Sequence, residues 1–175
     1  MKIFCYGSLL SSLHNHSVLL KHKAKFVGCG QTLLKYALTA RGDGAYPYMT
    51  SFKLNEFQVL TKIKGEVYEV NHECLAALDI LEGHPDYYAR SKIEVAVAHC
   101  DQQNVRHFRM ASRTLSDAFS IQCCDAYFLT NKYTIAKIKQ LFDKEYFDVE
   151  SGDWKEYRSR VLVQPVIKMS ESGRC

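Results

Sequence analysis

Apolar and polar residues follow one another along this chain in short blocks that predict β-strands. Residues 3–6, Ile-Phe-Cys-Tyr, form an apolar run that predicts a buried strand close to the first residue. Residues 65–70 alternate cleanly between the two classes, as a strand does. Further strand patterns lie at 24–40, 46–48, 57–70, 93–98, 105–110 and 126–129. Strands therefore dominate the predicted secondary structure.

Two segments instead have the spacing of amphipathic helices. The pattern predicts a helix over 72–81, with Asn71 as its N-cap and with Gly83 and Pro85 after its last turn. Its apolar positions are Leu75, Leu78 and Leu81. A second helix is predicted over 135–142, where four apolar side chains fall on one face. Both helices are short.

These elements predict an α+β fold. Six or more strands, two short helices and few β-α-β alternations favour a small closed β-barrel. The length of 175 residues fits one compact domain, which we assign to 1–165, followed by a polar tail at 166–175.

The composition narrows the classes of protein to which the chain can belong. A formal net charge of +4 is modest for this length, and the basic clusters at 21–25 and 106–109 are expected to be solvated surface. Anion or nucleic-acid binding through 21–25 is the weakest of three functional hypotheses. No apolar stretch is long enough to span a membrane, and the start of the chain lacks a signal-peptide pattern. We expect a cytoplasmic protein with no nucleic-acid or membrane partner.

The seven cysteines point to free thiols rather than to a disulfide framework or a zinc site. Their number is odd, and none stands in a Cys-x-x-Cys pair. Most lie in apolar surroundings, where a free cysteine packs as a small hydrophobic residue. A reducing compartment follows from this usage.

Candidate chemistry begins where the first strand ends. The strand leads into Tyr6-Gly7-Ser8-Leu9, and Gly7 allows a backbone turn that a Cβ would resist. Such a turn can present consecutive backbone N–H groups and one hydroxyl to a small ligand. Taken alone, Gly-Ser after a strand is more often an ordinary turn.

Several segments resemble, in order, the gamma-glutamylcyclotransferase-like family, and most closely its gamma-glutamylamine cyclotransferase (AIG2-like) branch. They are Tyr6-Gly7-Ser8-Leu9, Asn15-His16, Tyr46-Pro47, Gly65-Glu66-Val67-Tyr68, Leu81-Glu82-Gly83, Tyr88-Ala89-Arg90 and Ser151-Gly152-Asp153-Trp154. The resemblance runs from about residue 1 to about residue 160. No one motif is specific, but their common order is.

The resemblance implies a small mixed barrel with helices packed outside and a reaction that needs no cofactor or metal. The free α-amine of a gamma-glutamyl group attacks its own side-chain carbonyl, which releases 5-oxoproline and an amine or amino acid. The resemblance thus implies an enzyme of the acyltransferase or lyase type. Carried over by position, Glu82 is the general base and Tyr6, Gly7, Ser8 and Leu9 hold the glutamyl group. Tyr127, on the late aromatic strand, is a further expected substrate contact.

The residues themselves agree with this chemistry. Glu82 ends the predicted helix, where the helix dipole disfavours a second negative charge by about 0.3–1 kcal/mol, and burial would raise its pKa further. The alternative is an exposed cap residue without a catalytic role. His84 is expected to be a solvated turn residue, although it could tune the base. Ser8 is expected to bind the substrate carboxylate or amine rather than to act as a nucleophile.

A non-catalytic metabolite-binding module on the same fold is the second functional hypothesis. Both hypotheses keep the Tyr6–Leu9 turn, so Glu82 is the residue that separates them in favour of an enzyme. The leaving amine and the oligomeric state stay open. Segments 11–22 and 131–150 are least like the family, and we expect them to form the pocket rim.

Overall fold

The structure, a computed structural model, describes residues 1–41, 46–51, 53, 58–98, 119–130, 132 and 146–163. The strands are β1 (Lys2–Cys5), β2 (Lys25–Thr32), β3 (Tyr36–Arg41), β4 (Pro47–Thr50), β5 (Leu60–Thr61), β6 (Lys64–Glu69), β7 (Tyr88–Ala98), β8 (Phe119–Leu129) and β9 (Tyr146–Asp148). The helices are α1 (His16–Lys21), α2 (His72–Glu82) and α3 (Trp154–Val163).

Within the described ranges, five strands close a barrel in the order β1-β6-β2-β7-β8. Four of the five pairings are antiparallel, and β1 closes the barrel through a parallel pairing in which Ile3 faces Asp125. The hairpin of β7 and β8 is the longest pairing, with register running from Tyr88 and Leu129 to Ala98 and Phe119. The α+β barrel expected from the strand pattern is confirmed.

A smaller sheet lies beside the barrel and is centred on β3. This strand pairs in antiparallel fashion with β4, β5 and β9. The sheet matters for the site because β4 begins at Pro47, whose ring packs against the turn that follows β1.

Helix α2 has well-formed ends, and these ends place its last residue. The side chain of Asn71 accepts a hydrogen bond from the backbone N–H of Cys74 (2.8 Å), as an N-cap does. At the other end, Gly83 takes a left-handed conformation with φ of 63°, where a residue with a Cβ is strained. The predicted helix is confirmed, and Glu82 is its final residue.

The core joins the barrel to α3. Trp154 at the start of this helix is fully buried and stacks on Tyr157, with 5.5 Å between ring centroids. Cysteines contribute as expected, since Cys5, Cys29, Cys74 and Cys124 are buried free thiols. No helix in the described ranges has the length and apolar character needed to cross a bilayer.

Most strand predictions in the described ranges are confirmed, with shifted boundaries. The pattern at 24–40 forms β2 and β3, and the pattern at 57–70 forms β5 and β6. Strands β7 and β8 both begin earlier than predicted. The sequence patterns did not predict α1 or α3. The predicted strand at 105–110, the helix at 135–142, the basic cluster at 106–109 and the tail at 166–175 lie outside the described residues.

Candidate active site

One cavity of about 350 Å³ opens where β1 ends, next to the last turn of α2. A volume of this size suits a small metabolite. Its described lining residues are Phe4, Cys5, Tyr6, Gly7, Ser8, Leu9, Asn15, Tyr46, Pro47, Leu81, Glu82, Tyr87, Tyr88 and Tyr127. All six residues singled out from the sequence, Tyr6, Gly7, Ser8, Leu9, Glu82 and Tyr127, are among them. The structure therefore brings together groups that are up to 121 positions apart.

The turn after β1 forms one wall of the cavity. The backbone N–H of Leu10 donates to the carbonyl of Gly7 (3.0 Å) and closes the turn. A Cβ on Gly7 would lie 3.0 Å from both Cγ and Cδ of Pro47. Close approach to this proline ring, rather than a left-handed φ, favours glycine here.

Residues just before and within α1 hold this turn from behind. The backbone N–H of Asn15 donates to the Ser8 carbonyl (3.1 Å), and its side-chain Nδ2 donates to Ser8 Oγ (2.9 Å). Nδ1 of the buried His16 lies 3.0 Å from the Leu9 carbonyl, to which it donates. Segment 11–22 was expected at the pocket rim, and Asn15 does line the cavity.

The far end of the same turn is tied to a buried carboxylate, which the sequence analysis missed. Glu66 is 2% exposed. Its two oxygens accept from the N–H and Oγ of Ser11 (2.8 and 2.7 Å), from the Tyr68 hydroxyl (2.8 Å) and from Lys155 Nζ (2.7 Å). Burial raises the pKa of Glu66, but Lys155 and Ser11 outweigh it and hold that pKa below its usual value. This cluster links the turn, the barrel and α3.

Glu82 is partly buried at the C-terminal end of α2, and it lines the cavity. Burial raises the pKa of its carboxyl group from the ordinary 4.5 to about 7. Among the residues that the structure describes, this carboxyl group has no hydrogen-bond or ion-pair partner, so nothing there offsets the loss of solvation. The residue is therefore not the exposed cap of the alternative interpretation.

Two tyrosines of the cavity, Tyr6 and Tyr88, donate their hydroxyl protons to backbone carbonyls. Tyr6 donates to the carbonyl of Tyr127 (2.7 Å), and Tyr88 donates to the carbonyl of Pro47 (3.1 Å). Burial, reinforced by the nearby Glu82, raises the pKa of both Tyr6 and Tyr88 well above its usual range. These hydroxyls stay protonated and brace the cavity walls.

The hydroxyl of Tyr127 is held by the ion pair of Asp79 and Arg90. Its hydroxyl donates to Oδ1 of Asp79 (2.7 Å), and Asp79 forms an ion pair with Arg90, with 2.8 Å between Oδ1 and Nε. Burial and the bond to Asp79 raise the pKa of Tyr127. The pairing of Arg90 with Tyr127 across β7 and β8 sets this geometry.

His84 does not line the cavity. Its Nδ1 accepts from the backbone N–H of Arg90 at 3.4 Å, and its ring packs edge-on against Tyr127 at 6.3 Å. It is partly buried rather than the solvated turn residue expected from the sequence. In the described part of the chain, His, Cys, Asp and Glu side chains form no group of three or more suited to a metal.

Comparison with known proteins agrees with this architecture. A protein of Methanocaldococcus jannaschii is 42% identical over 93 residues, which are 53% of this chain and 70% of that protein. The gamma-glutamylaminecyclotransferase of Bos taurus is 36% identical over 98 residues, which are 54% of this chain and 56% of that enzyme. The matched segment thus spans little more than half of the bovine protein.

The fold is also that of solved relatives. The crystal structure of an AIG2-like protein from Mus musculus superimposes with a TM-score of 0.57 at 26% identity, covering 86% of each chain. The profile of the family described as gamma-glutamyl cyclotransferase, AIG2-like, matches residues 3–156. The barrel, the cavity at the end of its first strand and this match lead to one conclusion: the chain belongs to the gamma-glutamyl cyclotransferase, AIG2-like family.

Proposed function

We propose that this chain is a gamma-glutamyl cyclotransferase that releases 5-oxoproline and a free amine or amino acid from a small gamma-glutamyl compound. The observation that carries the proposal is a small cavity in which Glu82, with a pKa of about 7, meets the Tyr6–Leu9 turn. Among the described lining residues, Glu82 is the only carboxyl group. The bovine relative's name, gamma-glutamylaminecyclotransferase, supports the same class of reaction.

In the proposed reaction Glu82 is the general base. The attacking α-amine must lose a proton, and a carboxylate with a pKa near the working pH both ionises and accepts that proton. The amine nitrogen bonds to the side-chain carbonyl carbon and closes a five-membered ring. The tetrahedral intermediate then expels the original amide nitrogen, which takes the proton back from Glu82 as it leaves.

In the proposed reaction, the turn after β1 stabilises the negative charge that develops in the transition state. Among the described residues, the backbone N–H groups of Gly7, Ser8 and Leu9 have no hydrogen-bond acceptor, and these residues line the cavity. Such donors can stabilise the oxyanion of the tetrahedral intermediate, and loss of one donor typically costs about 3 kcal/mol of transition-state stabilisation. The tyrosine walls would hold the flexible glutamyl chain in the bent conformation that cyclisation requires.

The test is 5-oxoproline release, measured by mass spectrometry, from a gamma-glutamyl amine, gamma-glutamyl-ε-lysine, a gamma-glutamyl dipeptide and glutathione. We expect the wild type to act on at least one compound and Glu82→Gln to lose that activity. Glu94→Gln, which removes an exposed carboxylate on β7, is the matched control and should keep the wild-type rate. Retained turnover by folded Glu82→Gln would reject the base, and silence of the folded wild type would favour a metabolite-binding module.

A further inference from the structure

Asn15 occupies the N-cap position of α1 but does not cap this helix. An asparagine at this position normally accepts a hydrogen bond from a backbone N–H of the first turn. Asn15 makes no such side-chain bond. Its amide group donates instead to Ser8 Oγ at 2.9 Å. The side chain is therefore committed to the turn that lines the cavity and not to its own helix.

This contact decides what the Ser8 hydroxyl can do. A serine hydroxyl has one proton to donate and lone pairs with which to accept. The Asn15 amide occupies an acceptor position on Oγ, and within the described ranges the Ser8 hydroxyl has no acceptor for its own proton. Ser8 is 9% exposed and lines the cavity, so the hydroxyl can donate to a bound ligand.

At Tyr127 and Glu82 the cavity has hydrogen-bond acceptors, whereas Ser8 is a donor. The Tyr127 hydroxyl proton is already donated to Asp79, which leaves its oxygen able only to accept. Ionised Glu82 also only accepts. The cavity thus has a donor at Ser8 and acceptors at Tyr127 and Glu82. A ligand with a free carboxylate and a free ammonium group fits this arrangement. The carboxylate only accepts hydrogen bonds and suits the donor at Ser8, and the ammonium only donates and suits the acceptors at Tyr127 and Glu82.

We propose that Asn15 is a positioning residue that keeps the Ser8 hydroxyl as a hydrogen-bond donor to the free α-carboxylate of the glutamyl group. The α-amine then lies toward Tyr127 and Glu82, where its proton can be removed. This inference rests on the proposed function and deepens it, since it specifies how the cavity orients the head group of the substrate.

The experiment compares two ligands that differ by the carboxylate alone. L-5-Oxoproline carries it and 2-pyrrolidinone lacks it, and binding of each is measured by isothermal titration calorimetry. We expect Asn15→Ala and Ser8→Ala each to weaken binding of L-5-oxoproline about 10- to 100-fold, as loss of one hydrogen bond to a charged group does. Binding of 2-pyrrolidinone should change less than about twofold. Ser17→Ala, an exposed change on α1, is the control for the helix.

Two further measurements separate positioning from a general structural role. In the Ser8→Ala background, Asn15→Ala should weaken L-5-oxoproline binding no further, because Asn15 acts through Ser8. Asn15→Asp keeps a good N-cap residue, but its carboxylate would accept the Ser8 proton, so L-5-oxoproline binding should fall below that of Asn15→Ala. Equal loss of both ligands, or independent effects of the two alanine substitutions, would overturn the proposal.

The same variants distinguish this proposal from the proposed function. Ligand binding needs no turnover, so a wild type that releases no 5-oxoproline yet shows the Asn15-dependent preference for L-5-oxoproline would reject the reaction and keep the orientation. A wild type that turns substrate over, with Asn15→Ala retaining the full preference for the carboxylate, would reject the orientation and keep the reaction.

Discussion

Replacing the candidate base should make the protein more stable while removing its activity. Glu82 is partly buried, and its carboxyl group has no hydrogen-bond or ion-pair partner in the part of the chain that the structure describes. Folding therefore disfavours its charged form. Glu82→Gln keeps the size and shape of the side chain but carries no charge at any pH, so the unfavourable burial disappears.

The size and sign of the effect follow from the pKa. A tenfold change in an ionisation equilibrium is worth about 1.4 kcal/mol, so a rise from 4.5 to about 7 corresponds to about 3 kcal/mol. Below pH 4.5 the side chain is protonated in both the folded and the unfolded chain, and nothing is lost. Between pH 4.5 and 7 the unfolded chain releases the proton that the folded chain keeps, so stability falls as pH rises. Above pH 7 the full penalty is present.

The assay is urea denaturation followed by circular dichroism, with the wild type, Glu82→Gln and Glu94→Gln compared at pH 4, 6 and 8. We expect Glu82→Gln to match the wild type at pH 4 and to exceed its free energy of unfolding by about 3 kcal/mol at pH 8. The exposed control should stay within about 0.5 kcal/mol of the wild type throughout. A stability difference between Glu82→Gln and the wild type that does not grow from pH 4 to pH 8 would refute the reasoning.

Three other outcomes are expected. Gly7→Ala should lower kcat/KM at least about tenfold, because the new methyl group crowds the Pro47 ring and shifts the turn that holds the proposed oxyanion donors; an unchanged kcat/KM in steady-state kinetics would contradict this. Lys155→Met should lower the free energy of unfolding by about 2–3 kcal/mol, since it leaves the buried Glu66 carboxylate without its cation. Lys132→Met breaks an exposed ion pair and should cost less than about 1 kcal/mol in the same denaturation series, so equal costs would argue against the buried cluster. A pH profile of kcat/KM should rise with pH through about 7 as Glu82 ionises, and a flat profile between pH 5 and 8 would exclude it as the base.

The parts of the fold that could be predicted from the sequence are those set by neighbouring residues. Helix α2 has a capping asparagine, regularly spaced leucines and a terminating glycine within 13 positions, and each signal acts locally. Helix α3 has one local signal, Asp153, whose Oδ1 accepts from the backbone N–H of Glu156 (3.0 Å), but it lacks regularly spaced leucines and a terminating glycine. Its packing depends on Trp154, which lies in a core built from distant strands.

The candidate site also has parts that could be predicted from the sequence and parts that could not. The resemblance to a known family pointed to Glu82 and to the Tyr6–Leu9 turn, and the structure places them around one cavity. Glu66 was missed because the alternation along β6 suggests one buried face, whereas Glu66, Val67 and Tyr68 are all buried. Two of its three side-chain partners, Ser11 and Lys155, lie 55 and 89 positions away, and no local pattern indicates contacts of that range. The contact of Asn15 with Ser8 was missed because α1 was not predicted, and no sequence pattern indicated that the chain before this helix folds back onto the turn.

The protein has two separate optical signals, because its tryptophan lies in the core and tyrosines line its cavity. It is the single tryptophan of the chain, it is fully buried against Tyr157, and it is not among the residues that line the cavity. The cavity wall is built from tyrosines instead. Selective excitation of tryptophan should therefore follow the docking of α3 during unfolding, while difference absorbance of tyrosine should report ligand entry. Folding and occupancy can be recorded on the same sample without a label.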